Sequence, residues 1–270
     1  MDFLWFNQGS MRILFVGDIF GRPGRRVLAD HLQDVVAGKQ IDLVIANAEN
    51  AAAGFGITPR LAEDLFRYGI EVMTTGNHGW DKKEIYAYIA GQPRLLRAAN
   101  YPPGAPGRGV YCGQTRAGIP FAVLHLVGRV FMAPLDCPFR TAEAELARLP
   151  EECRIRILDF HAEATSEKQA FGWFLDGKVT AVIGTHTHVP TADERLLPGG
   201  TAFITDVGMT GPYESVIGVE RETALRKFLS QMPERFEPAR GDLRLCAVII
   251  DADEQTGRAR SIERYTLAIA

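Results

Sequence analysis

The stretch Arg12-Ile13-Leu14-Phe15-Val16-Gly17-Asp18-Ile19-Phe20-Gly21 opens the fold: a short apolar run, a polar stop at Gly17-Asp18, then a glycine-punctuated turn into a helical pattern near residues 25–36. The pattern recurs. Residues 42–46 are apolar and stop at Asn47-Ala48-Glu49-Asn50. Thr58-Pro59 then supplies a cap and first-turn pair for a helix over 59–68, closed by Gly69. Residues 70–74 form a third run, ending at Thr75-Gly76-Asn77-His78. Apolar strands that alternate with helices and end in polar clusters predict an α/β sheet carrying its ligands at the strand carboxyl ends.

Further along, residues 94–138 are rich in Pro and Gly and read as a loop followed by strands near 109–112 and 121–127. A helix near 141–149 precedes two more apolar runs. Residues 155–160 end at His161, and residues 178–184 end at Thr185-His186-Thr187-His188. Strands near 201–205 and 243–250 flank a helix near 220–231, and a last strand near 261–265 closes the chain. No repeat, linker or low-complexity tract divides it, so the expectation is one domain over residues 11–270. Residues 1–10 are expected to be a leader or early-start extension, since they lack the basic start and long apolar run of a secretory signal.

Composition narrows the function classes. The 270 residues are 46% hydrophobic and 23% charged, which fits an ordinary globular chain and excludes disordered or fibrous readings. With 30 Lys+Arg against 33 Asp+Glu the formal charge is -3, so nothing favours general attraction to duplex nucleic acid or anionic lipid, and a phosphate-bearing substrate needs positive charge gathered locally. No apolar window is long enough to cross a membrane. The four cysteines, at 112, 137, 153 and 246, are scattered, which fits a reducing, cytoplasmic setting. A symmetric homo-oligomer is expected on general grounds.

Asp18, Glu49, Asn50, Asn77, His78, His161, His186 and His188 all follow apolar runs, and they converge if those strands are neighbours. Oxygen and imidazole donors without thiolate suit Mn, Fe or Zn. If residues 186–188 are extended, period two turns both imidazoles to one face, where each can serve one of two adjacent metals. Two metals about 3.5–4 Å apart can clamp a phosphoryl group and activate a water as hydroxide. Individually the residues have plainer readings. Asp18 can cap the next helix and Gly76-Asn77 can be a turn, while His31 and His125 are read as structural. Phe20, Phe55, Trp80 and Phe131 can stack on a base but are more often core. Arg22, Arg25 and Arg129 can meet phosphate or solvent, and Lys168 is read as a helix-surface residue.

Gly17-Asp18-Ile19-Phe20-Gly21, Ala48-Glu49-Asn50-Ala51, Thr75-Gly76-Asn77-His78-Gly79-Trp80-Asp81, the run from Asp159 to Lys168, and Gly184-Thr185-His186-Thr187-His188-Val189 resemble, in order and spacing, the YmdB-like branch of the metallophosphoesterase (calcineurin-like) superfamily. The resemblance runs from about Met11 to the end. It implies a four-layer α-β-β-α sandwich of two mixed sheets with a centre of two metal ions, iron or manganese. One metal would take Asp18, Asn50 and His188 and the other Asn77, His161 and His186, with Glu49 bridging. Phe20 and Glu49 stand where the wider superfamily has His and Asp, as in the YmdB-like branch. The implied activity is hydrolysis of 2′,3′-cyclic nucleotides to 3′-nucleotides by metal-activated hydroxide, with His78 as proton donor. A phosphomonoesterase or phosphoprotein phosphatase, or a phosphate-sensing regulator without turnover, remain the alternatives.

Overall fold

The computed structural model describes residues 9–269. Most of the expected leader, residues 1–8, lies outside the described residues. Ser10 begins β1 (Ser10–Val16), paired with Asp253. β2 (Asp18–Ile19) and α1 (Gly21–Lys39) follow, then β3 (Leu43–Asn47), α2 (Pro59–Arg67), β4 (Val72–Thr74), α3 (Ile85–Gly91) and β5 (Leu95–Leu96). The middle of the chain gives β6 (Val110–Gln114), β7 (Pro120–Val127), α4 (Pro138–Leu146), β8 (Ile155–His161), α5 (Thr165–Leu175) and β9 (Ala181–Thr185). It ends with β10 (Arg195–Leu196), β11 (Ala202–Ile204), β12 (Met209–Pro212), α6 (Arg221–Ser230), β13 (Leu243–Asp253) and β14 (Ala259–Ile269). The expected apolar runs all become strands, and Thr58 caps α2 by accepting from the Leu61 N–H at 3.3 Å. The short α3 and the bounds of α5 are additions to the sequence reading, which placed only Lys168 on a helix there.

The strands form two sheets. In the first, of eight strands, β1, β3, β4 and β5 run parallel while β13 joins β1 antiparallel and carries β14 and β12. In the second, of six strands, β7, β8, β9 and β11 are parallel, with β6 and β10 antiparallel at the edges. Both sheets are mixed.

Alternation along each strand produces the layering. Ile13 and Phe15 of β1 point into a core shared with Phe121, Val123, Ile157 and Ile183 of the other sheet, while Leu14 and Val16 point outward against α1 and α2. In the second sheet Leu158 and Phe160 turn outward to meet Phe171 and Leu175 of α5. Strands covered on both faces read as continuous apolar runs, which is why the sequence shows runs there and not alternation. Three apolar cores therefore separate four layers, helix, sheet, sheet and helix, as the resemblance implies. At roughly 25 cal/mol per Å² of apolar area, burial of this kind is the dominant favourable term. The carboxyl ends of β3, β4, β8 and β9 come out at one edge of the two sheets.

Candidate metal centre

At that edge the expected residues meet. Glu49 and Asn50 follow β3, Asn77 follows β4, His161 ends β8, and Asp18 opens β2. His161 Nε2 lies 2.9 Å from Glu49 Oε1, 3.0 Å from Asn77 Oδ1 and 3.0 Å from His186 Nδ1. Potential donor atoms of Glu49, His161 and His186 all lie within 4.8 Å of one another. Beside this group His188 Nε2 stands 3.2 Å from Asn50 Oδ1 and 4.0 Å from Asp18 Oδ1. The seven residues thus adjoin one another, with Glu49, Asn77 and His186 gathered on His161, Asn50 beside His188, and Asp18 near both His188 and His161.

The segment after β9 differs from expectation. His186 and His188 lie past the strand, with φ of 107° and 64°, so the extended alternation does not hold. The chain bends at both residues and sends the His186 imidazole to His161 and the His188 imidazole to Asn50. Non-glycine residues at positive φ cost roughly 1–3 kcal/mol each and persist only where neighbours hold them. Here the holder is Asp206. Its Oδ2 accepts the Thr187 N–H at 3.1 Å and the Lys168 ammonium at 2.7 Å, while Oδ1 accepts the Gly208 N–H at 2.8 Å. Lys168 is accordingly buried, which corrects its reading as a surface residue.

Three imidazoles turn their other nitrogen to an oxygen. Thr185 Oγ1 gives its proton to Asp159 Oδ1 at 2.7 Å and so accepts from His161 Nδ1 at 2.9 Å. His186 Nε2 meets Glu163 Oε2 at 3.0 Å, and His188 Nδ1 meets the Ile217 carbonyl at 2.8 Å. With those N–H groups donated away, each ring in its neutral form can present a lone pair to the cluster, the arrangement that orients histidine toward a metal. Asp18 Oδ1 is buried and has no hydrogen-bond partner among the described residues. A Cβ on Gly76 would stand 2.3 Å from Glu49 Oε2 and 2.4 Å from His161 Nε2, so only glycine leaves the space. Lone pairs facing lone pairs, an orphaned carboxylate oxygen and a clear cradle fit a cation.

Without a cation the electrostatics leave a proton on His161 in its place. Burial raises Asp18 to about 6, against the pull of His188 and His161. Burial would raise Glu49 too, but the charge and hydrogen bond of His161, with the His78 N–H, hold it down to about 2. His161 complements it: burial disfavours its charge, yet Glu49, Asp18 and Asp159 carry it up to about 9. His186, buried next to that charge, is pushed down to about 3. The His161 proton compensates the carboxylates, and a bound cation would have to displace it.

His78 sits at the rim. Its N–H donates to Glu49 Oε2 at 2.9 Å, its Nδ1 meets Asp81 Oδ2 at 2.9 Å, and Phe55 packs edge-on with ring centroids 5.1 Å apart. With Nδ1 engaged by Asp81, Nε2 is the atom left to face a substrate. Phe20 is buried and meets the His188 ring edge-on, while Trp80 packs on Tyr86 and Tyr101. Phe131 is 90% exposed. His125 is core, with Nδ1 3.4 Å from Asp159 Oδ2, and His31 lies on α1.

Sequence reasoning passed over Asp81, Asp159 and the Lys168–Asp206 pair as supports. Two signals were present. Asp159 is two residues before His161 in one strand, hence on the same face. Lys168 shares the helical spacing of the buried Phe171, Gly172 and Leu175.

Two facing mixed sheets with a carboxylate, amide and imidazole cluster at the strand ends define a class, the hydrolases of phosphate esters. The chain belongs to the YmdB-like family, whose model, described as YmdB-like protein, matches residues 14–265. It is 47% identical over 257 residues to a Bacillus subtilis protein named 2′,3′-cyclic-nucleotide 2′-phosphodiesterase, covering 95% of this chain and 97% of that one. Among solved structures, a hypothetical protein from Thermus thermophilus superposes with TM-score 0.90 at 43% identity, covering 96% of this chain and all (100%) of that one. A structure titled as a novel phosphatase from Mycoplasma pneumoniae superposes with TM-score 0.90 at 34% identity, covering 96% of this chain and 94% of that one.

Proposed function

We infer that the protein is a dinuclear-metal phosphodiesterase that opens 2′,3′-cyclic nucleotides to 3′-nucleotides. The observation that carries this reading is the set of three imidazoles, each donating its outer nitrogen away and turning a lone pair inward beside two buried carboxylates. The name of the Bacillus relative supports the substrate. Asp18, Asn50 and His188 would hold one ion, Asn77, His161 and His186 the other, and Glu49 both. When bound, the pair supplies neutralisation of the phosphate oxygens and acidification of a water. Mixed nitrogen and oxygen donors without thiolate suit iron or manganese.

The chain's own residues do the rest. Asp81 accepts from His78 Nδ1, so the protonated ring carries a second hydrogen on Nε2, which passes to the ribose O2′ as the bond from phosphorus to O2′ breaks and leaves His78 neutral. The Glu49 bond to the His78 N–H ties that donor to the cluster. Proton donation to a poor leaving group is typically worth about 10²–10⁴-fold. His78→Asn is expected to keep both metals and lose roughly that factor on 2′,3′-cyclic AMP, with a smaller loss on a diester with a good leaving group. Retained metals with undiminished turnover of the cyclic nucleotide would remove His78 from the mechanism. A panel of monoesters beside the cyclic diesters separates the phosphatase alternative.

The reading extends to a single domain from residue 11, a cytoplasmic setting and self-association. Unpaired Cys112, Cys137, Cys153 and Cys246 support the second, and the exposed Leu225, Phe228, Leu229 and Met232 on and after α6 support the third.

A further inference from the structure

A chain of net charge -3 must gather positive charge locally to hold phosphate, and one groove beside the cluster does so. The start of α1 faces the segment 235–240 across a cavity of about 550 Å³. Five guanidinium groups line it, from Arg22, Arg25, Arg26, Arg235 and Arg240, against the single carboxylate of Glu237. Arg26 is paired with Asp30 at 3.3 Å, whereas Arg22, Arg235 and Arg240 form no ion pair among the described residues. Arg25 donates to the Ala51 carbonyl, and burial, with Arg22 as a like-charged neighbour, lowers its pKa. The first turn of α1 contains no acidic residue to offset them. Pro23, Pro238 and the half-buried Phe236 give the groove an apolar floor.

The groove and the cluster share backbone. The Asn50 carbonyl accepts from the N–H groups of Gly21 at 2.9 Å and Gly54 at 3.0 Å, and Ala53 lies in the groove wall. Phe20, whose ring packs 5.4 Å from that of His188, immediately precedes Gly21. A Cβ on Gly21 would stand 2.9 Å from Pro238 in the groove. One buried aromatic residue therefore lies between a ligand histidine and a row of unpaired arginines.

One terminal phosphate held in the cluster leaves these arginines without a partner, whereas a strand running on from it around Phe20 would bring further phosphodiesters to them. Guanidinium matches phosphate oxygens in bidentate geometry. A cavity of this size takes a drug-sized ligand, about one or two nucleotides of a single strand, and not a duplex. Building on the cyclic phosphodiesterase reading, we propose that the groove holds the backbone of a single-stranded oligoribonucleotide whose 2′,3′-cyclic phosphate end lies in the metal cluster. The substrate class then includes RNA ends as well as mononucleotides.

The test compares 2′,3′-cyclic AMP with a pentaribonucleotide ending in a 2′,3′-cyclic phosphate, using wild type, the double variant Arg235→Ala/Arg240→Ala, and Arg258→Ala as a control. Arg258 lies in a different basic pocket, beside Lys178 before β9, far along the strands from the cluster. Wild type should show a KM for the pentamer at least about tenfold below that for the mononucleotide. The double variant should raise the pentamer KM by about tenfold, leave the mononucleotide KM unchanged and reduce the salt slope by about 1–2. Arg258→Ala should move none of these. Equal KM values in wild type, or equal shifts for both substrates in the double variant, overturn the proposal. Fluorescence anisotropy with the same pentamer bearing a 3′-phosphate needs no turnover and separates the two readings. If neither cyclic substrate is hydrolysed yet wild type binds this RNA more tightly than the double variant, the activity reading falls and the groove assignment stands. Equal binding by both proteins defeats the groove assignment whatever the activity.

Discussion

His161, His186 and His188 differ in which ring nitrogen they turn inward, and in each case the choice is made by the oxygen behind the ring: Thr185, Glu163 or the Ile217 carbonyl. His78 follows the same logic with a different outcome, since Asp81 engages Nδ1 at the rim and Nε2 has no hydrogen-bond partner among the described residues. On the proposed mechanism Asp81 is a positioning residue that acts through His78. In Asp81→Asn both metals should remain and kcat for 2′,3′-cyclic AMP should fall about 10–100-fold with little change in KM, the usual cost of losing such a partner. A loss confined to KM would mean that Asp81 acts on binding instead. The convergence of the cluster residues was legible, because each is a polar residue directly after an apolar run. Their partners were not, because Asp159, Asp81 and Glu163 are distinguished from other acids only by what they touch.

At the scale of elements, the strands and α2 could be read because burial on both faces, caps and glycine stops leave marks in composition. The bend after β9 could not. Its two histidines adopt positive φ under the hold of Asp206, which is 18 to 20 residues further along, between β11 and β12. The Lys168–Asp206 pair, both partners buried, joins α5 to that bend. Lys168→Met leaves Asp206 buried beside no cation, a change that typically costs about 3–5 kcal/mol. Thermal unfolding should shift downward, and the metal affinity should fall with it because the bend loses an anchor. The double variant Lys168→Met/Asp206→Leu should recover part of the thermal stability without the metal affinity. Unchanged metal affinity in the single variant would show that the bend is held by other contacts.

For the molecule as a whole, three apolar cores run between the layers and are built without the cluster's polar side chains, so burial alone accounts for the layering. Chelation should therefore leave the far-ultraviolet circular dichroism unchanged while lowering Tm, since ligands that bind only the native state stabilise it. At about 100 Kd of free metal that linkage is worth about 2.7 kcal/mol, roughly 5–10 °C for a chain of this size. Loss of secondary structure on chelation would mean that the cluster, and not burial, organises the sheets. The layer order was implied by the alternation of runs and helices together with the motif resemblance. The arginine groove was not, since Arg22 to Arg26 and Arg235 to Arg240 are brought together only by the approach of the chain after α6 to the start of α1.

The most direct measurement is anomalous diffraction at the iron and manganese absorption edges from crystals of metal-replete, active protein. Two peaks about 3.5–4 Å apart are predicted, one among Asp18, Asn50 and His188 and one among Asn77, His161 and His186, with Glu49 between them. A single peak, or no peak among these side chains in crystals that still turn over 2′,3′-cyclic AMP, contradicts the account.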